Sequence, residues 1–286
     1  MAVYKRTYRG YSGPLTNPLW RFTVLQRYAF QAVFKSRLLL IGYVGCFFGP
    51  ILLLCLLYLN QNASVLALVG QKVGFLKVDS GLFLNFISWQ GLLAGILTAF
   101  VGPSLVAPDL TNGALSVYLS RPFNRSEYIL GKGMVLGSLI ASITLLPGLL
   151  VFAVQSSLVG FTWFTDNFYL GVGTLLSCLI LMAVFMLLGL AMSAFVRWKI
   201  VAGALILGVF AAGKGFGAVI NNVMETGNGY FLDLQYLLST VAGGLLHKTP
   251  ENDPISPWAA AVALLVFCTM LLALINRKLR VCEVAG

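Results

Sequence analysis

Residues 168–195 read FYLGVGTLLSCLILMAVFMLLGLAMSAF and carry no Asp, Glu, Lys, Arg or His. A helix needs about 20 predominantly apolar residues to cross a bilayer core, so this run spans one. Its apolar character runs all the way round, which leaves no face for water. The same signature recurs on both sides of it. Runs without Asp, Glu, Lys or Arg cover 38–71, 80–108, 133–165 and 254–276, and an apolar run 200–224 is broken only by Lys214. With their flanks trimmed, these runs predict six spans over about 38–59, 82–106, 129–154, 168–195, 200–220 and 257–276. The expected fold is an all-α integral membrane protein with six transmembrane helices. A basic segment 1–37 precedes the 38–276 membrane domain, and a short tail 277–286 follows it.

Composition agrees. Of 286 residues, 59% are hydrophobic and 10% charged, and mean hydropathy is +0.89. Soluble domains carry about 25% charged residues, so ordinary cytosolic enzymes are excluded. Disorder is excluded as well, because it needs low hydrophobicity and high charge. A cleaved signal peptide does not suit the first run, whose apolar core is longer and later than an h-region of about 7–15 residues.

The formal charge of +10 acquires meaning from its distribution. Lys5, Arg6, Arg9, Arg21, Arg27, Lys35 and Arg37 precede the first span. Arg121, Arg125 and Lys132 flank the connection of spans two and three, Arg197 and Lys199 that of four and five, and Arg277, Lys278 and Arg280 follow span six. If the spans alternate, these fifteen share one side, against Lys72, Lys77 and Lys248 on the other. The positive-inside rule then places both termini in the cytoplasm, the chain lying in the cell (inner or plasma) membrane. The basic charge is spent on topology, and no nucleic-acid partner is expected.

Two stretches outside the spans read as structured. Asn17-Pro18 is a favoured helix start, and 18–36 puts Arg27, Gln31 and Lys35 on one stripe, with Trp20 and other apolar residues elsewhere. That pattern predicts an amphipathic helix in the cytoplasmic interface, with Trp20, Arg21, Arg27 and Lys35 at the headgroups and membrane lipid as its partner. The outer connection 221–256 carries polar punctuation and then an apolar stretch, Tyr230 to Leu246. It predicts a re-entrant or surface-lying hairpin.

Residues that could do chemistry are scarce. His247 is the only histidine and lies in the outer connection beside Lys248. No two carboxylates share an apolar run, so paired acid–base catalysis has no candidates there. Cys46, Cys55, Cys178, Cys268 and Cys282 form no CxxC pair, and four of them lie in apolar runs, where a thiol behaves as a small hydrophobe. Gly208–Lys214 fits the first seven positions of a phosphate-binding loop, but Gly215 stands where Ser or Thr must ligate magnesium. A chain without catalytic, cofactor or metal site is therefore expected. Lys214 itself either faces a cavity or partner, or snorkels from near the outer end of span five. GxxxG pairs at 45/49, 70/74, 91/95, 133/137 and 213/217 are barely more than the roughly three that glycine abundance gives, and so say little about helix packing. Pro50, Pro103 and Pro147 predict kinks or ends. Phe161, Trp163, Phe164, Phe168 and Tyr169 read as interfacial anchors.

The connection of spans two and three is the most informative. In Gly102–Lys132, Asp109 is placed to cap a helix from Leu110 to about Leu119, which Pro122 stops. Asn124 and Glu127 then stand at N-cap and N3 of the third span. This stretch resembles the permease subunits of the type-2 ABC transporter family. The resemblance rests on Pro108-Asp109, Gly113-Ala114-Leu115, Ser120-Arg121-Pro122, Arg125-Ser126-Glu127-Tyr128 and Gly131-Lys132. It implies a permease that dimerises with a like or unlike permease subunit and binds one ABC ATPase per subunit, with 108–121 as the coupling helix. Asp109, Leu110, Asn112, Gly113, Ala114, Leu115, Val117, Arg121, Pro122, Arg125 and Glu127 would then serve ATPase coupling. Mg-ATP would sit on the separate ATPase, with no cofactor in this chain. Export is the expected direction, and the uncharged spans favour an amphipathic or lipid-like cargo. The alternative is a non-transporting membrane scaffold that recruits a cytoplasmic partner.

Overall fold

A computed structural model describes residues 21–61, 76–112, 125–196, 198–249 and 253–284. Among them the chain is all-helical, and six helices are long and apolar enough to cross a membrane. The elements are α1 (Arg21–Phe34), α2 (Arg37–Gly45), α3 (Phe48–Gln61), α4 (Ser80–Val101), a 3-10 turn (Gly102–Ser104) and α5 (Ala107–Thr111). Then follow α6 (Arg125–Ile143), α7 (Leu145–Val159), α8 (Phe161–Asp166), α9 (Phe168–Phe195), α10 (Lys199–Met224), a second 3-10 turn (Asn228–Leu232), α11 (Leu234–Leu245) and α12 (Pro257–Val284).

Prolines segment the spans. Pro50 has no N–H for the carbonyl of Cys46, and the first span breaks between α2 and α3. Gln90 reaches that freed carbonyl with its Nε2 at 3.5 Å. Pro147 likewise leaves Ile143 without its donor, and the third span breaks at Thr144 between α6 and α7. Pro103 sits in the 3-10 turn that ends α4. The fourth span coincides with the expected 168–195. The fifth runs on to Met224, and the sixth continues helically to Val284 through most of the expected tail.

Helix α9 is the axis of the bundle and touches α4, α6, α7, α10, α11 and α12. Small residues permit the closest approaches. A Cβ on Gly102 would meet Gly189 Cα at 3.0 Å, and one on Gly203 would meet Ala99 O at 2.6 Å. Gly91 lies against Leu181, Gly95 against Phe210 and Phe185, and Gly133 against Met186, so these glycines do serve helix packing. Gly45 and Gly49 face open space, and Gly70 and Gly74 lie outside the described residues.

The basic N-terminal stretch forms α1, shorter than the expected 18–36, with 18–20 outside the described residues. It lies along α6 with Ala29 and Val33 buried, while Arg27, Gln31 and Lys35 are all exposed. The connection after α10 folds back against the bundle. Gly217 meets Gly229 and Gly213 meets the carbonyl of Leu232, so the second 3-10 turn descends beside α10. Gly213 is eleven residues before Met224, about 16 Å at the helical rise. There Asp233 caps α11 by accepting from the N–H groups of Gln235 and Tyr236 at 3.0 and 3.2 Å. The helix climbs back until Gly244 meets Pro257. Its Leu234, Leu237, Leu238 and Val241 are buried, so one face of the helix packs on the bundle.

Candidate functional site: the elbow between the second and third spans

At the basic end of the bundle the chain leaves α4 at Val101, turns through Gly102–Ser104 and enters the short α5. A helix start presents N–H groups with no intrahelical acceptor, and burial makes them costly. Ser193 near the end of α9 supplies the missing acceptor. Its Oγ takes the N–H of Val106 at 3.0 Å and of Ala107 at 2.9 Å, and its own proton goes to the carbonyl of Pro103 at 3.3 Å. Ser193 is fully buried. One hydroxyl thus fastens the elbow to the central helix.

A second fastening comes from α6. Tyr128 and Lys132 are one turn apart and share a face. Lys132 Nζ lies 2.8 Å from Asp109 Oδ2, and Tyr128 donates its hydroxyl proton to the same oxygen at 2.8 Å. The Lys132 and Asp109 side chains are only 10% and 14% exposed, and Tyr128 is 1% exposed. Each charge therefore depends on the other in surroundings that offer little water. The elbow is held between the third and fourth spans, by one charge pair and the hydroxyls of Tyr128 and Ser193.

This geometry corrects the expected capping role of Asp109. The helix begins at Ala107, with Val106 as N-cap, so Asp109 lies inside the first turn and its carboxylate turns to Lys132. The helix ends at Thr111, with Asn112 exposed as its C-cap, rather than starting at Leu110. Glu127 is the third residue of α6, as the sequence predicts for N3. Gly113, Ala114, Leu115, Val117, Arg121, Pro122, Asn124 and Trp20 lie outside the described residues, as does the rest of 113–124. Leu110, Arg125 and Arg21 are described in their backbone alone.

Lys214 is exposed on α10, ten residues before the helix ends at Met224, so it does not sit near the outer end of its span. It lines no described cavity. The His247 ring lies tilted at 49° to that of Tyr169, 5.2 Å away, at the end of the bundle opposite the elbow. Sequence reasoning missed Ser193, which nothing in a charge-free run distinguishes. The Asp109 pairing did leave a signal: Tyr128 and Lys132 at i and i+4 offer two donors from one helix face.

Replacing Ser193 by Ala removes an acceptor from two buried N–H groups, and an unsatisfied buried donor costs about 1–3 kcal/mol. We expect S193A to lower the thermal midpoint of the purified chain measurably, read by intrinsic fluorescence, while the conservative S193T retains more of it.

Residues 56–276 match the family model described as ABC-2 family transporter protein. No curated protein matches the chain significantly.

Proposed function

The chain belongs to the ABC-2 transporter family as a membrane permease, and on that premise we propose that it is the exporting subunit of a complex driven by a separate ABC ATPase. In this reading the elbow and 108–121 receive the ATPase stroke. The observation that carries it is the double fastening. Asp109–Lys132 and Ser193 tie one short element to two spans, so a force on that element acts on α6 and α9 together. Apolar Leu110, Ala114, Leu115 and Val117 fill a groove on the partner, and Arg121, Arg125 and Glu127 meet charges at its rim. Mg-ATP binds the ATPase, whose hydrolysis this chain lacks the phosphate-binding residues to perform.

The basic end faces the cytoplasm of the cell membrane, with α1 in the headgroup layer through its exposed Arg27 and Lys35. A second permease subunit covers α10. That helix is largely unburied within the chain, and a cation such as Lys214 within a span is costly against lipid.

The test is retention and stimulation of the ATPase in reconstituted membranes. Truncating a buried apolar anchor costs upwards of about 2 kcal/mol, or about thirtyfold in affinity, so Leu115→Asp is expected to release the partner. Arg125→Ala, at an exposed rim, is expected to cost about 0–1 kcal/mol. Full binding and full stimulation in Leu115→Asp would sink the coupling reading. An ATPase that stays bound but whose turnover ignores the permease would point to a scaffold.

A further inference from the structure

Along the seam between the first span and α4 the bundle is open. Its outer half holds a cavity of 540 Å³ and its inner half one of 150 Å³, and Leu93 lines both. The wall from the first span includes Gly42, Gly45 and Gly49 beside Leu39, Cys46 and Leu53, and a Cβ at any of the three glycines would meet nothing within 4 Å. The floor from α4 is apolar, with Phe86, Leu93 and Leu97. Three polar features break that apolar lining, one of them the exposed Asn85. Lys77, Asp79 and Lys248 ring the outer mouth, where Lys248 Nζ lies 3.3 Å from Asp79 Oδ2. Halfway down stands Gln90, 2% exposed, whose Nε2 reaches the Cys46 carbonyl while its Oε1 has no partner.

We propose that this groove binds an anionic amphiphile, a single extended hydrocarbon chain lying along the glycine wall under a phosphate-like head at the outer mouth, and that this is the cargo of the permease. The second half of the statement rests on the permease reading above. The charge at the mouth carries the choice of head. Asp79 offsets Lys248, and exposed Lys77 leaves a net positive site suited to one anion. The lining carries the choice of tail, because its apolar residues run along the first span from Leu53 to Leu39 and so suit an extended chain lying parallel to it. The unpartnered Gln90 oxygen, deep among apolar groups, accepts a proton from a hydroxyl or amide close to the head, since a buried acceptor without a donor is costly. Asn60 fixes the outer wall by holding both the N–H and the carbonyl of Leu76, at 3.1 and 2.9 Å.

The test uses the full chain in phosphatidylcholine nanodiscs doped with a lysophosphatidic acid, which has one acyl chain and a free glycerol hydroxyl, carrying a diazirine on that chain. A lysophosphatidylcholine with the same diazirine is the comparison. Cross-links are mapped by mass spectrometry, with Leu265 and Val266 of the exposed face of α12 as the reference for ordinary surrounding lipid. The anionic probe is expected to label Leu53 and Trp89 about tenfold more than the zwitterionic one, and both are expected to label α12 alike. Gly49→Leu fills open space and is expected to remove the groove labelling while leaving the thermal midpoint and the α12 labelling intact. Lys77→Gln with Lys248→Gln, both exposed, is expected to erase the preference for the anionic probe. Equal labelling by the two probes, or labelling that survives Gly49→Leu, overturns the proposal. So does a disulfide between two copies carrying Cys at 49, which would show the seam covered by a second chain. The measurement needs no ATPase. Selective labelling in a chain that recruits no ATPase would break the permease reading alone, and unselective labelling in one that does recruit it would break this proposal alone.

Discussion

Lys132→Met is expected to be the most damaging single change at the basic end of the bundle. It leaves the Asp109 carboxylate, 14% exposed, with the Tyr128 hydroxyl and no cation. Removing one member of a buried pair costs about 3–5 kcal/mol, because the remaining charge keeps its desolvation and loses its partner. At about 2–4 °C per kcal/mol for a chain of this order, the thermal midpoint should fall by about 6–20 °C. The double variant Asp109→Asn with Lys132→Met removes both charges and keeps the Tyr128 hydroxyl bonded. It is expected to recover most of the stability, as apolar or neutral replacements of whole buried pairs commonly do. Coupling should part company with stability at this point. If the pair transmits force, the double variant folds well yet stimulates the ATPase less than the parent does. Unchanged melting of Lys132→Met would show that the pair is solvated and holds nothing.

The spans were legible because the bilayer imposes one rule on every residue in them. A charge-free run has a single physical meaning wherever it lies, and 168–195 coincides with α9 at both ends. The breaks were legible for a similar reason. A proline withholds its N–H from a carbonyl four residues back regardless of context, so Pro50 and Pro147 mark the interruptions after Gly45 and Ile143. Asp109 shows where such reading ends. Capping rules look two or three residues ahead, and on that horizon an Asp before an apolar stretch is a cap. Its actual partner, Lys132, is 23 positions away and becomes visible only when α6 is laid beside the elbow. Ser193 carries no local signal at all. The length of α10 was underestimated because Asn221 and Asn222 look like the start of a loop. In fact Asn221 is still helical and accepts the N–H of Gly229 at 2.7 Å, which holds the re-entrant turn against its own helix.

That turn is also where the backbone has least room to give. On α10, a Cβ at Gly213 would run into the carbonyl of Leu232, and one at Gly217 into the carbonyl of Gly229. On the same helix Gly208 and Gly215 have nothing within 4 Å of the corresponding position. The four sites share helical backbone and differ only in what approaches them, which makes them a controlled series. Alanine at 208 or 215 is expected to stabilise the chain by up to about 1 kcal/mol through helix propensity alone. Alanine at 213 or 217 gains the same propensity but must displace a carbonyl of the main chain, and overpacking of this kind costs about 1–3 kcal/mol. The double variant Gly213→Ala with Gly217→Ala pushes the whole descending leg away from α10. It is expected to lower the thermal midpoint markedly and to expose a cysteine placed at Leu232 to a charged thiol reagent added from the outer side. In the parent that cysteine, about 16 Å down the helix, should react slowly. If the double variant melts like the parent and leaves position 232 protected, the leg is not seated on α10. The outer connection would then lie across the surface of the membrane instead of entering it.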